Sequence, residues 1–154
     1  GGVKNALHTM KNQPFYLING DALWTDGETS TLDRLAGNWN PKTMDILLLL
    51  QPLKAMTLTQ GIGDYDLDNN GRAVRSINKT GTYMFGGIRI TNPDIFDGCP
   101  DGAFSFLELM DKAQENGRLY GLVHDGDWHH ISTPEDLENV NIAFKQARPQ
   151  AKTA

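Results

Sequence analysis

The sequence predicts an α/β domain in which helices cover a mixed sheet and a β-hairpin is inserted in the middle. Residues 45–53 are almost continuously apolar, which is typical of a strand that is buried on both faces. Residues 65–67 and 73–77 flank Asn69-Asn70-Gly71, which is the pattern of two strands joined by a tight turn. With 154 residues, the chain has the size of one domain.

The other elements follow from local signals. Residues 3–10 are predicted to end a helix, residues 15–18 to form a buried strand and residues 82–90 a long strand. Short strands are predicted at 119–123 and 128–131. Further helices are predicted to begin at Ser30 or Thr31, Ser105 and Thr133, because each hydroxyl can cap an apolar helical pattern. The residues of the last two helices expected to face the core are Leu107, Leu109, Met110, Ala113, Leu137, Val140 and Phe144.

Composition and charge argue against several classes of protein. The chain is 39% apolar and 21% charged, as in ordinary globular domains. A net charge of −5 without a run of Lys or Arg argues against nucleic-acid binding. No apolar run reaches the roughly 18 residues of a membrane span, and the first residues lack a signal-peptide pattern. The single Cys99 suits a reducing compartment, so we expect a cytoplasmic protein.

The first candidate site follows the strand at residues 15–18. Gly20-Asp21 places a carboxylate at the C-terminal end of that strand, where open α/β sheets bind ligands. A carboxylate there suits Mg²⁺ that bridges substrate phosphates. The alternative is a turn residue whose carboxylate accepts hydrogen bonds from nearby backbone N–H groups.

Two other stretches resemble metal sites. Residues 66–71 match the first half of an EF-hand loop, but the twelfth position is Ile77 rather than Glu, so a hairpin turn is favoured. Residues 124–130 contain three imidazoles and two carboxylates that could bind zinc. If this stretch ends in a strand, His129 and His130 point to opposite faces and cannot share one ion.

Three stretches together resemble the sugar-1-phosphate nucleotidyltransferases. Residues 15–21 resemble the strand and Gly-Asp that hold catalytic Mg²⁺ in that family. Residues 83–88 and 92–96 resemble its sugar-pocket strand and the following segment. Residues 128–137 resemble its Trp-x-Asp-x-Gly-Thr-x-x-x-Leu stretch, which supplies a second metal ligand. The hairpin and Gly63-Asp64-Tyr65 are most similar to the N-acetylmuramate-1-phosphate uridylyltransferase branch, which serves bacterial peptidoglycan recycling.

The resemblance implies a partial Rossmann-like (GT-A-like) fold over residues 1–148, with residues 149–154 as a polar tail. It implies that Asp21 and His130 are catalytic and hold Mg²⁺. His130 stands where the family has Asp, and Ser132 where it has Gly. Imidazole is a poorer Mg²⁺ ligand than carboxylate, so His130 could instead bond a phosphate or hold the metal through water. The implied nucleotide-contacting residues are Gly1 and Gly2, and the implied sugar-phosphate residues are Gly63, Asp64, Lys79, Gly86 and Gly87. A solvated loop residue is the alternative for Lys79.

The implied reaction transfers a nucleotidyl group from a nucleoside triphosphate, here UTP, to N-acetylmuramate 1-phosphate and releases pyrophosphate. The choice of sugar rests on residues 77–81, a short loop where many mannose and glucose enzymes carry Glu-Lys-Pro, and on Gly86-Gly87, and both are expected to leave room for a lactyl ether. The glycine-rich nucleotide loop is expected on a segment before Gly1, so we expect the chain alone to be inactive. The alternatives are a mannose-1-phosphate guanylyltransferase, a non-catalytic sugar-phosphate-binding domain and a metal-binding module.

Overall fold

The computed structural model describes residues 2–10, 12–56, 60–131 and 133–147. Its α-helices are α1 (Gly2–Ala6), α2 (Thr31–Asn38), α3 (Phe106–Glu115) and α4 (Pro134–Ala147). Its strands are β1 (Phe15–Ile18), β2 (Ala22–Trp24), β3 (Ile46–Pro52), β4 (Tyr65–Leu67), β5 (Ala73–Arg75), β6 (Tyr83–Thr91), β7 (Leu119–Val123) and β8 (Trp128–His130). Short 3₁₀ turns lie at Leu7–Thr9, Leu53–Ala55 and Pro93–Phe96. The predicted α/β class with an inserted hairpin is confirmed.

Six of the described strands form the main sheet. Five of them follow the order β5-β4-β6-β3-β7, and β1 also pairs with β6. β3 runs parallel to β7 and antiparallel to β6, so the sheet is mixed, as predicted. β2 and β8 form a separate antiparallel ribbon, in which Ala22 lies opposite His130.

The core is organised around β3, which is buried along its whole length. Successive side chains of a strand point to opposite faces. Ile46, Leu48 and Leu50 therefore pack with α3 on one face, and Leu47 and Leu49 pack with α2 on the other. Full burial of each aliphatic side chain contributes about 1.5–3 kcal/mol. The continuous apolar run is thus explained by helices on both sides of the sheet.

The three predicted helix starts are confirmed by their caps. Ser30 Oγ accepts the N–H of Asp33 at 3.3 Å, and Ser105 Oγ accepts the N–H of Leu107 at 3.2 Å. Thr133 Oγ1 accepts the N–H of Asp136 at 3.1 Å, while the Asp136 carboxylate accepts the N–H of Thr133 at 2.9 Å. These bonds satisfy donors that a helix start leaves without an intrahelical partner.

The β4–β5 hairpin confirms the interpretation of residues 66–71 as a turn. Asp68 Oδ1 accepts the N–H groups of Asn70 at 2.8 Å and Arg72 at 2.9 Å. Gly71 has φ of 77°, a conformation that glycine adopts without strain. The Asp68 carboxylate is therefore occupied in closing the turn.

The expectation of a fully buried first strand was wrong. Tyr16 and Ile18 in β1 are 39% and 42% exposed. Among the described strands, β1 pairs only with β6, so one of its edges has no strand partner there. Their exposure follows from this position at the side of the sheet.

Three helical positions expected in the core are also exposed. Leu107 is 42% exposed, Leu137 48% and Phe144 36%, whereas Val140 is buried. The apolar spacing therefore predicts a broader contact stripe than the helices make, since in α3 the buried residues are Leu109, Met110 and Ala113. Leu107 instead lies beside a cavity that is described below.

Candidate functional site

One edge of β6 carries two strands that leave a gap between them. β1 pairs with residues 88–91 of β6, and β4 pairs with it at Tyr83. β3 pairs with the other edge of β6, both at residues 83–85 and at residues 89–91. β1 and β4 therefore share the edge of β6 that is opposite β3. Residues 84–87 of β6 therefore lie between the end of β1 and the start of β4, and we call this segment the edge gap.

Asp21 lies on the β1 side of the edge gap. The N–H of Asn19 donates to the carbonyl oxygen of Gly87 at 2.9 Å, which fixes the end of β1 at the gap. Asp21 follows two residues later, within about 8 Å of Asn19 along the chain. Its side chain is exposed, and no hydrogen bond to it from the described residues is present. This carboxylate is therefore open to a cation or a ligand.

The ribbon of β2 and β8 is hydrogen-bonded to the edge gap through Trp128. Trp128 is buried, and its indole N–H donates to the carbonyl oxygen of Gly86 at 2.9 Å. Because Ala22 pairs with His130, the backbone brings positions 21 and 130 close together. The side chain of His130 lies outside the described part of the structure, as does Ser132.

Gly63 and Asp64 lie on the β4 side of the edge gap. The N–H of Asp64 donates to the carbonyl oxygen of Tyr83 at 2.8 Å, and its carboxylate accepts the N–H of Phe85 at 3.2 Å. Lys79 Nζ also donates to this carboxylate and forms an ion pair with it. A Cβ on Gly63 would overlap the backbone of Gly81, so this position tolerates only glycine. Asp64 thus serves the local structure, unlike Asp21.

The two glycines of β6 are explained by the chain itself. A Cβ at Gly86 would lie 3.3 Å from the indole nitrogen of Trp128, and one at Gly87 would lie 3.1 Å from Cβ of Asn19. Gly87 also has φ of 72°, which disfavours any other residue. Other parts of the protein therefore approach both glycines closely, including the backbone oxygen of Leu49, which would lie 3.3 Å from a Cβ at Gly86.

A cavity of about 260 Å³ opens beside Asp64, between the hairpin, β6 and α3. Arg75 forms a bidentate ion pair with Asp111, in which Nε–Oδ1 is 2.7 Å and Nη2–Oδ2 is 2.9 Å. The wall thus combines charged and apolar side chains. Its lining residues are Asp64, Tyr65, Arg75, Lys79, Phe85, Leu107 and Met110.

Arg89 is a buried cation that the sequence reasoning missed. Its residue is 6% exposed, and its guanidinium lies 4.1 Å from the ring centre of Phe106 and 5.2 Å from that of Phe85. Burial lowers the pKa of Arg89 to about 10, so it is charged at neutral pH. No described carboxylate forms an ion pair with it, and its Nε atom has no hydrogen-bond partner. The available signal was a charged residue between Ile88 and Ile90.

Tyr65 is a second buried polar group in this region. Its hydroxyl is buried without a hydrogen-bond partner among the described residues, and burial raises the pKa of Tyr65 well above its ordinary value. Phe85 is common to the cavity wall and to the cation–π contact of Arg89. Tyr65 therefore lies in the cavity wall itself, and Arg89 lies next to that wall through its contact with Phe85.

The histidine-rich stretch packs into the protein. His129 is buried and contacts the ring of Phe144 edge-on, with ring centres 5.9 Å apart. His124 Nε2 lies 3.3 Å from the carbonyl oxygen of Asp127, and burial lowers the pKa of both histidines. Within the described ranges, no three His, Cys, Asp or Glu side chains are grouped to hold a metal. The zinc hypothesis therefore finds no support there.

The glycines predicted to contact the nucleotide lie at the start of the chain. Gly2 is the exposed first residue of α1, and Gly1 lies outside the described residues. Lys4 ties α1 to a distant loop by donating to the carbonyl oxygen of Cys99 at 2.6 Å. Among the helices of the described part, none has the length and apolar character needed to cross a membrane.

Two of the relatives found by comparison with known proteins carry the same name. The chain is 29% identical over 136 residues to the N-acetylmuramate alpha-1-phosphate uridylyltransferase of Caulobacter vibrioides. It is 26% identical over 135 residues to the enzyme of that name from Neisseria meningitidis serogroup B. These alignments cover 88% and 86% of this chain but 56% of either relative. No family model matches the chain.

Solved structures agree on the fold. The UTP-bound UGPase from Acinetobacter baumannii superimposes with a TM-score of 0.72 at 13% identity, covering 96% of this chain and 56% of that one. The chain has the sugar-1-phosphate nucleotidyltransferase fold. The inositol-1-phosphate CTP transferase from T. maritima gives a TM-score of 0.64 at 16% identity, covering 99% of this chain and 62% of the other. The predicted GT-A-like fold, present in part, is confirmed.

Proposed function

We propose that this chain forms the sugar-phosphate-binding and metal-binding portion of a sugar-1-phosphate nucleotidyltransferase. The reaction would transfer a uridylyl group from UTP to N-acetylmuramate 1-phosphate and release pyrophosphate. The observation that carries the proposal is the convergence of Asp21, His130 and Gly63 on the edge gap. The shared name of both relatives supports the choice of substrates.

The nucleotide would be bound jointly with a segment outside this chain. The chain spans 56% of the length of both relatives, and β1 has an edge without a strand partner among the described strands. We propose that strands carrying a glycine-rich phosphate loop pair with this edge and cover the exposed Tyr16 and Ile18. The partners of the site are then a nucleoside triphosphate and a sugar 1-phosphate.

The residues on the Asp21 side suit one Mg²⁺ ion. Mg²⁺ is commonly held by one or two carboxylates, with substrate phosphates and water completing its octahedron. Asp21 is exposed at the edge gap and is not engaged by a described hydrogen-bond donor, so it meets the minimum requirement. His130 would hold the ion through water or bond a phosphate. When bound, the ion would neutralise charge on the transferring phosphoryl group.

The chain's own residues would position the reactants. Phosphoryl transfer needs alignment and charge neutralisation rather than a protein nucleophile. Asp21 would fix the phosphate end, while the backbone around Gly63, Gly86 and Gly87 would receive sugar hydroxyls. Lys79 lies at the same end of the gap through its ion pair with Asp64. The N–H of Lys79 donates to the carbonyl oxygen of Ser76 at 3.1 Å, and this short turn would leave space beside the sugar.

Pyrophosphate release by the natural full-length protein tests this function. UTP and GTP would each be paired with N-acetylmuramate 1-phosphate and with mannose 1-phosphate. We expect the highest kcat/KM for UTP with N-acetylmuramate 1-phosphate, with overlap because a missing steric block discriminates by only about 1–3 kcal/mol. Preference for GTP with mannose 1-phosphate would instead assign a guanylyltransferase. Binding of sugar phosphate without any turnover would favour a non-catalytic domain, with which an imidazole at position 130 is also consistent.

A further inference from the structure

The cavity beside Asp64 adjoins the proposed sugar site. Asp64 and Phe85 line the cavity, and the same two residues meet at the edge gap through a hydrogen bond of 3.2 Å. A substituent on a sugar bound at the gap can therefore enter the cavity without a change in the backbone. With about 260 Å³, the cavity exceeds the size of a three-carbon substituent.

The charges around this cavity favour an anion. Three cations, Arg75, Lys79 and Arg89, are opposed by two carboxylates, those of Asp64 and Asp111. Asp64 and Asp111 pair with Lys79 and Arg75, so the positive charge of Arg89 has no carboxylate opposite it among the described residues. An unpaired buried charge is costly, and an incoming carboxylate would offset it. A sugar that bears only hydroxyls would not.

The uncharged part of the wall favours a short apolar stem on that anion. Phe85, Leu107 and Met110 present apolar surface to the cavity. The hydroxyl of Tyr65, which is buried and has no partner in the described part of the chain, supplies a donor for a carboxylate oxygen. A methyl-bearing carboxylate, as in a lactyl ether, matches this combination of apolar surface, donor and charge.

Lys79 is the cation best able to move onto such a ligand. Its side chain is 56% exposed, whereas those of Arg75 and Asp111 are 30% and 33% exposed and joined by two hydrogen bonds. An exposed ion pair such as Lys79–Asp64 contributes little to stability, so its exchange for a ligand carboxylate costs little. The ammonium group of a lysine has three hydrogen-bond donors, and its flexible side chain allows it to reach a ligand.

We propose that this cavity receives the carboxylate-bearing lactyl group of N-acetylmuramate 1-phosphate, and that Lys79 selects this sugar over sugars without a carboxylate. The inference rests on the proposed function and names the part of the site that decides its substrate. It assigns Lys79 to the lactyl substituent of the sugar rather than to the phosphate.

N-Acetylglucosamine 1-phosphate provides the matched probe, because it is the same sugar phosphate without the lactyl ether. Both sugars would be tested with the natural full-length protein and with Lys79→Met, by calorimetric binding and by kcat/KM. We expect the preference for the N-acetylmuramate compound to fall at least about tenfold in Lys79→Met, as for the loss of a hydrogen bond to a charged group. Lys79→Arg should restore most of it. If Lys79→Met weakens both sugars by the same factor, Lys79 serves the phosphate and the inference is overturned.

A second variant tests the cavity without touching Lys79. Leu107→Trp places a larger side chain at the cavity wall, at a position that is 42% exposed. It should weaken the N-acetylmuramate compound at least about tenfold and leave N-acetylglucosamine 1-phosphate within about twofold. Leu137→Trp is the matched control, since Leu137 is 48% exposed on α4 and does not line the cavity. An unchanged preference in Leu107→Trp overturns the inference.

Binding and turnover separate this inference from the proposed function. Selective binding of the N-acetylmuramate compound without turnover would overturn the enzymatic proposal and support the cavity assignment. Turnover with equal binding of both sugars would do the reverse.

Discussion

Two Gly-Asp pairs flank the edge gap, and they differ in what holds their carboxylates. In the described part of the chain, no atom lies within 4 Å of a Cβ built on Gly20, and no donor reaches the exposed carboxylate of Asp21. Gly63 is pressed against Gly81, and the Asp64 carboxylate accepts hydrogen bonds from Lys79 and from the backbone of Phe85. The same dipeptide therefore leaves one carboxylate free for a ligand and uses the other to hold the fold. Substitutions on the two sides should separate function from stability.

The largest effect is expected at Asp21. In the natural full-length protein, Asp21→Asn should reduce turnover at least ~100-fold, about 2.7 kcal/mol, because it removes a charge that acts on the transferring phosphoryl group. The melting temperature should stay within about 2 °C of the parent, since no described hydrogen bond is lost. His130→Ala should cost less if His130 contacts the metal only through water. Near-normal turnover of Asp21→Asn at saturating Mg²⁺ would end the metal assignment.

The two glycines give the next contrast. Gly63→Ala should destabilise the protein by about 2–3 kcal/mol, because the added methyl overlaps backbone atoms that cannot move aside. Gly20→Ala is the matched control and should change stability by less than about 0.5 kcal/mol, since its Cβ meets open space. Urea unfolding of both variants measures the difference. Equal stability of the two variants would show that a side chain is tolerated equally well at Gly63 and at Gly20.

The carboxylates themselves should differ in stability more modestly. Asp64→Asn should lower the free energy of unfolding by about 1 kcal/mol, through loss of the Lys79 ion pair and weakening of the bond from Phe85. Asp21→Asn serves as the comparison and should be neutral in the same denaturant titration. A neutral Asp64→Asn would mean that its bonds add nothing to the fold.

The smallest expected effect is the pH dependence of stability on the Asp21 side of the gap, where β8 pairs with β2. Burial lowers the pKa of His124 and His129 below the value of about 6.5 that they have when unfolded. Below that pH, the unfolded chain binds protons that the folded chain does not, so stability should fall as pH decreases from 7.5 to 5.5. In His129→Gln, stability should fall less steeply over this pH range, whatever the stability of the variant at pH 7.5. Thermal unfolding across this range measures both slopes, and equal slopes would exclude His129 as a source.

Much of the fold could be predicted because its signals are local. The caps at Ser30, Ser105 and Thr133 act within three residues of each helix start. The apolar run of β3 and the hairpin turn at Asp68–Gly71 likewise depend on near neighbours. The resemblance to nucleotidyltransferases rests on the order of short motifs along the chain, which the sequence shows directly, including the departures at His130 and Ser132.

What the sequence by itself determined about this protein is thus its fold class, its main elements and the position of Asp21 after a strand. Only the tertiary structure decided that the two Gly-Asp pairs face one gap, since β1 and β4 come together solely through their pairing with β6. It also decided that Asp64 accepts hydrogen bonds, that Leu137 is exposed and that Arg89 is buried with no carboxylate partner among the described residues. The physical reason is that burial and pairing depend on residues far apart in the chain, and neither periodicity nor capping encodes which of them meet.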